Sequence, residues 1–256
     1  MIPDWEESRL VSDYISIPAS YFLNIHNTNL GCDVYIRVKR EQDGYQYIKR
    51  LHSHDFFLRD DIVKYIDTGL KDFYIAKGHF AAFVNHVTGQ LVQKLRNSVG
   101  GKERVALISE SFEVTIDRIH SIGIDEETIE VVEESIKTIQ ASLKEGDALS
   151  NFLQLLKGNK LSYISSHSYL TCLILHRIIA QFDWCTSSIR NKITYLAYFH
   201  DISLVSDELA MIGSLDEFNG YAFESKEMKE KVANHALLSA QIVDRFPKVP
   251  LGVTTF

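Results

Sequence analysis

Four residues in the C-terminal part of the chain could share a metal: His167, the adjacent pair His200 and Asp201, and His235. Imidazole nitrogens suit iron, manganese or zinc, and a carboxylate has two oxygens with which to bridge two such ions. A hydroxide held between them has its pKa lowered by both charges and can attack a phosphoester in line. His200 and Asp201 close an apolar helix, Ile193-Thr-Tyr-Leu-Ala-Tyr-Phe199. Neighbours on a helix point about 100° apart. The doublet can therefore serve one cluster only if other helices bring ligands to it. His167, at the start of the preceding helix in Ser166-His-Ser-Tyr-Leu-Thr-Cys172, is one candidate, and His235, in Ala233-Asn-His-Ala-Leu-Leu238 on a later helix, is the other. A His-Asp dipeptide among ten histidines arises readily by chance; its order and helical context relative to His167 and His235 carry the weight. The structural alternative is that His200 only ends a helix and His235 only faces solvent.

The order His-Ser, apolar helix, His-Asp, lone His resembles the HD-GYP branch of the HD superfamily. Phe199-His-Asp-Ile202 is similar to the family's LHDIG core, and Asn234-His235 with Ser239-Ala-Gln-Ile-Val-Asp-Arg-Phe246 is similar to its HP…G…IL segment. The resemblance covers roughly 149–256. It implies an all-helical domain acting as a bacterial signalling hydrolase, a phosphodiesterase that opens cyclic di-GMP with two or three metals, often iron. By that resemblance His167, His200, Asp201 and His235 are metal ligands, with Asp201 the bridging, catalytic carboxylate. The family pattern HDxGK has Gly and Lys where Ser203 and Leu204 stand, and that Lys is expected to hold or polarise the phosphate. Three-metal members have a Glu one turn before the first His. Tyr163 stands there, which implies two divalent ions, iron favoured and manganese possible. A His-His pair and the Gly-Tyr-Pro signature would follow after Phe256, so the resemblance also implies a domain incomplete at its C-terminus and a polypeptide that continues.

The expected fold class is α+β: a mixed α/β regulatory or sensory domain with a helical linker over 1–146, then the HD-GYP-like domain over 147–256. Val34–Arg40 and Tyr45–Leu51 alternate about the turn Glu41-Gln-Asp-Gly44, which predicts a hairpin. Asp60 and Asp61 open a short helix that stops at Gly69, and Asp72–Ala76 reads as a strand. Phe80, Phe83, Val84, Val87, Leu91 and Leu95 recur at helical spacing. Ser98-Val-Gly-Gly-Lys102 reads as a linker, Glu103–His120 as a helix, and Asp125 as the cap of another that runs to about Gly146. Four or five helices and no strand are expected beyond it.

His52-Ser-His-Asp55 resembles the HxHxDH signature of metallo-β-lactamase-fold hydrolases, but Phe56 replaces the final His, so it reads as a polar connection between hairpin and helix. His176 reads as a packing residue. A net charge of −7 disfavours capture of long nucleic acid, whereas a small anion can be met by a metal cluster. No run of eighteen apolar residues and no apolar leader is present, and the three cysteines show no paired spacing, which together predict a cytoplasmic protein with reduced thiols and no membrane span. The leading expectation is metal-dependent hydrolysis of a cyclic dinucleotide, cyclic di-GMP or a related nucleotide. The alternatives are a degenerate HD module that binds metal or nucleotide and signals through protein partners, and an HD phosphohydrolase acting on other nucleotides.

Overall fold

The computed structural model describes residues 13–19, 22, 30–39, 45–56, 58–158 and 161–253. The chain divides into two compact units, Met1–Gln90 and Leu91–Phe256. The first contains the strands β1 (Tyr14–Pro18), β2 (Val34–Lys39), β3 (Tyr45–Leu51) and β4 (Asp72–Ala76), with helix α1 (Arg59–Asp67) and most of α2 (Lys77–Asn97). They form an antiparallel sheet in the order β1-β4-β2-β3. The expected hairpin is the β2–β3 pair, with Arg37 opposite Tyr47; its turn, 41–44, lies outside the described residues. Side chains alternate between faces along each strand. Ile17, Val34, Phe73 and Ile75 are buried on one face, where Phe22 contacts both Phe73 and Phe83 and Tyr65 of α1 meets Phe73. The other face carries tyrosines, with Tyr14 stacked on Tyr47 at 4.1 Å and Arg37 over Tyr45 at 4.4 Å. His52 to Asp55 forms an exposed turn closed by a backbone hydrogen bond from Asp55 to His52, as a polar connection should.

The second unit is helical throughout its described residues: α3 (Gly101–Ser121), α4 (Glu126–Ser142), α5 (Ala148–Lys157), α6 (Tyr163–Ile179), α7 (Ser187–Phe199), the short α8 (Asp207–Ala210) and α9 (Leu215–Gly220), then α10 (Lys226–Ala233) and α11 (His235–Val243). The reading from sequence sets its domain boundary near Gly146. In the structure α3 packs on α4, α5 and α6, and α4 on α7. The reason lies in their buried apolar stripes, Val105, Ile108, Phe112 and Ile116 on α3 and Val132, Ile136 and Ile139 on α4, which join one core with Phe152, Tyr198, Phe199 and Phe246. Only Ser98–Gly100 remains of the expected linker. It is tied down by Arg104, which donates to the Ser98 carbonyl at 2.7 Å and pairs with Glu145. Among the described residues no helix is long and apolar enough to cross a membrane.

The α3–α4 corner is locked by a buried charge. Arg118 is wholly inaccessible; its Nε donates to Thr128 Oγ1 at 2.9 Å and its Nη2 to both oxygens of Asp125 at 2.7 Å. Asp125 also caps α4 by accepting from the Thr128 amide at 2.9 Å. Burial raises its pKa, but the bonds from Thr128 and Arg118 outweigh this and hold the carboxyl below its ordinary value. Removing the carboxylate leaves the buried guanidinium with Thr128 and a more distant Glu127 at 3.8 Å, so Asp125→Ala should cost about 3 kcal/mol in unfolding free energy, read from denaturant titration as a lower midpoint at unchanged slope.

Candidate metal centre

The end of α7 is pinned by core residues on both sides of the His-Asp doublet. Tyr198, Phe199 and Ile202 are almost fully buried, Tyr198 sharing a hydrogen bond with Thr115 at 2.9 Å and Phe199 packing on Phe246 at 5.1 Å. After Phe199 the chain tightens into i to i+3 turns, Ile202 donating to Phe199 and Leu204 to Asp201. This lets two successive side chains face one point. His200 Nε2 lies 3.0 Å from Asp201 Oδ2.

Two further helices reach the same carboxylate, as the 100° argument requires. His167, in the second turn of α6, brings Nε2 to 3.7 Å from Asp201 Oδ2. His235, the first residue of α11, brings Nε2 to 3.6 Å from Asp201 Oδ1. All four residues singled out from the sequence thus converge. His176 does not join them: it is buried against Thr194 Oγ1 at 3.0 Å. Ligand atoms of His167, His200 and Asp201 lie within 4.8 Å of one another.

The donor set suits a divalent cation. His200 Nδ1 donates to the Ala197 carbonyl at 2.9 Å and His235 Nδ1 to the Val232 carbonyl at 2.8 Å. Each bond fixes the ring orientation with Nδ1 as donor and turns Nε2 toward the carboxylate, so Nε2 is the atom that would ligate a cation once its proton is displaced. Asp201 is buried, while the three imidazoles are 33–40% exposed and line a cavity of about 550 Å³. For Asp201, burial pushes the pKa up; the hydrogen bond with His200 and the charges of all three histidines pull it down further, and the net is a lowered carboxyl. For His200, burial lowers the pKa, but Asp201 and the Ala197 carbonyl outweigh it and the net is raised. His167 is lowered by burial and by His200.

Several residues that hold this arrangement carry no warning in the sequence. The Asp207 carboxylate of α8 accepts from the amides of Tyr163 at 2.8 Å and Ile164 at 3.1 Å, so it sits on the positive end of the helix that carries His167. Asp207 also lies in the first turn of its own short helix, and nothing local tells which second helix it serves. Tyr163 stacks on His167 with centroids 5.7 Å apart and an 8° interplanar angle. Ser203 Oγ donates to the His235 carbonyl at 2.9 Å and accepts from Ser239 Oγ at 3.0 Å, stitching the turn after Asp201 to the start of α11. The family's glycine position is thus used here for a hydroxyl. Leu204, at the family's lysine position, is 6% exposed and belongs to the core.

No family model and no curated protein matches the sequence. Among solved structures the chain is similar to Bd1817, an HDG"Y"P protein from Bdellovibrio bacteriovorus, with a TM-score of 0.51 and 16% identity over 94% of this chain and 75% of that one. At that identity the likeness speaks for the fold: the chain has an HD-GYP-like fold.

Because Leu204 lies in the core wall, an ammonium in its place meets apolar neighbours as well as the cavity. Leu204→Lys should lower unfolding free energy by about 2–4 kcal/mol, measured by thermal and denaturant unfolding. A variant as stable as the parent would mean that the side chain reaches water through the cavity.

Proposed function

We propose that this chain is a metal-dependent phosphodiesterase acting on a cyclic dinucleotide, cyclic di-GMP first among them. One observation carries the reading: both oxygens of Asp201 are faced by imidazole nitrogens, His167 and His200 on Oδ2 and His235 on Oδ1. His167, His200 and Asp201 would hold one divalent cation, and His235 with Asp201 would hold a second. Two divalent cations, iron or manganese, would supply a water of lowered pKa and positive charge against a phosphodiester.

The protein's own part is orientation and enclosure. The backbone carbonyls of Ala197 and Val232 aim two imidazoles, and Ile212, Leu215 and Phe218 give one side of the cavity an apolar lining. None of the residues lining that cavity is a lysine or arginine. Substrate charge would therefore be met chiefly by the cations, with the Lys229 ammonium beside the lining at 5.2 Å from the Phe218 ring. The three free cysteines accord with a cytoplasmic setting, and the α/β unit is taken as the regulatory or sensory part of a signalling protein.

A second reading has its own support. With Leu204 in the wall and no lysine or arginine among the described residues that line the cavity, the chain serves as a metal- or nucleotide-binding module that signals through protein contacts. Protein loaded anaerobically with Fe²⁺ or with Mn²⁺ separates the two. The diesterase reading expects bound metal by elemental analysis and cleavage of cyclic di-GMP in preference to simple nucleotides. In Asp201→Ala, metal content should fall at least about tenfold, since removing a ligand that serves two ions costs more than removing an outer-shell partner. Metal retained by Asp201→Ala would overturn the site. Metal bound without turnover of any nucleotide would leave the module reading.

A further inference from the structure

Behind the metal centre lies a second cavity, of about 560 Å³, within the range of about 300–1,000 Å³ usual for small-molecule sites. It shares Leu204, Leu209 and Val232 with the metal cavity, so one layer of buried side chains separates the two. Its remaining apolar surface comes from α10 and α11, chiefly Met228, Leu238 and Ile242. Three basic groups, His120, Lys231 and Arg245, stand against one acid, Glu227. Lys231 and Glu227 are paired with each other at 3.0 Å. Arg245 is exposed and has no carboxylate within ion-pair distance among the described residues, so a net positive charge is left at the rim.

The walls of this cavity are also the groups that hold the metal ligands. His120 Nε2 hydrogen-bonds the carbonyl of Ile202, next to Asp201, at 3.2 Å. Ser203 donates to the carbonyl of His235, and the Val232 carbonyl accepts from His235 Nδ1. An occupant that shifts any of the three moves a ligand on the far side.

We propose that this cavity is an effector site for a small organic anion with a flat apolar body, its anionic group toward Arg245 and its body on Leu204, Met228 and Ile242. Met228 favours a flat ring, because a thioether packs well on aromatic faces. The anion site stands apart from the phosphodiesterase reading; its coupling to His235 rests on metal binding there.

The test uses the full chain and the fluorescent probe anilinonaphthalene sulfonate, which combines a flat apolar body with one negative charge. The parent should bind it saturably. Arg245→Glu, a change at an exposed position, should weaken binding at least about tenfold, equivalent to roughly 1.4 kcal/mol. Gln241→Trp, which sets an indole at the cavity mouth, should abolish it. Arg177→Glu, beside a different cavity between α5 and α6, should leave it unchanged. A neutral naphthalene alcohol should compete poorly with a naphthalene carboxylate. In a second arm, saturating probe should change the apparent Mn²⁺ affinity, and Mn²⁺ should change probe affinity by the same factor, because binding linkage is reciprocal. Probe binding unaffected by both Arg245→Glu and Gln241→Trp, or lost in Arg177→Glu, would overturn the site, and an Mn²⁺ affinity indifferent to probe would overturn the coupling. If Mn²⁺ does not bind at all, the metal reading fails, and the first arm still decides the anion site.

Discussion

A buried carboxylate ringed by three imidazoles is the interaction around which the helical unit is organised. Taking a carboxylate out of water is unfavourable unless positive charge or hydrogen bonds answer it. Without a metal, Asp201 draws on His200 at 3.0 Å and on the partial charges of His167 and His235 farther away. Three imidazolium ions cannot sit together cheaply, however, since like charges at such separations repel; the lowered His167 and raised His200 record that competition. The arrangement is a poor salt bridge and a good ligand set. A divalent cation would answer the carboxylate and take the Nε2 lone pairs while each ring stays neutral, its remaining proton on Nδ1.

Holding that set open takes packing elsewhere. The doublet sits between Phe199 and Ile202, both buried, so neither end of the turn can relax toward solvent without exposing core. Each such side chain contributes about 1.5–3 kcal/mol on burial, enough to keep a local arrangement that electrostatics alone would not favour. The polar supports work at shorter range. Asp207 answers the amides at the start of α6, and Ser203 with Ser239 fixes the approach of α11. Three helix ends thus meet at one carboxylate, each fastened by a different kind of bond.

What could be read from the sequence follows from how local its causes are. The β2–β3 pair, the β4 strand and the Asp125 cap are each written in a few adjacent residues, and they appear where alternation and capping chemistry call for them. His167, His200, Asp201 and His235 were legible as a set because their order and helical contexts resemble a known pattern. Their supports were not. Asp207 lies 43 residues from Ile164, and Ser203 is 36 from Ser239; partners that far apart leave no periodicity to detect. Arg118 is the sharpest case. Arginine on an amphipathic helix reads as solvent-facing, and here it is fully buried because Asp125 and Thr128 close over it. The extent of the helical unit was similarly hidden: α3 looks like a connector until its apolar stripe is seen against α5 and α6.

Leu204 joins these threads. In the family pattern that position offers an ammonium to the phosphate; here it offers a partition between two cavities. The exchange has an electrostatic consequence for the cavity beside Asp201, whose lining among the described residues holds no lysine or arginine. Under the proposed function a phosphodiester entering it would give up hydration, and cations held by Asp201 and the histidines would be the main compensation among the lining residues. The Asp201 carboxylate would oppose an anion until a cation answered it, so nucleotide affinity would rise with metal occupancy. A lysine in this place would weaken that dependence by bringing its own charge. With leucine, charge would set the order, metal first and anion second, and an influence on His235 from the cavity behind would reach the substrate through the metal.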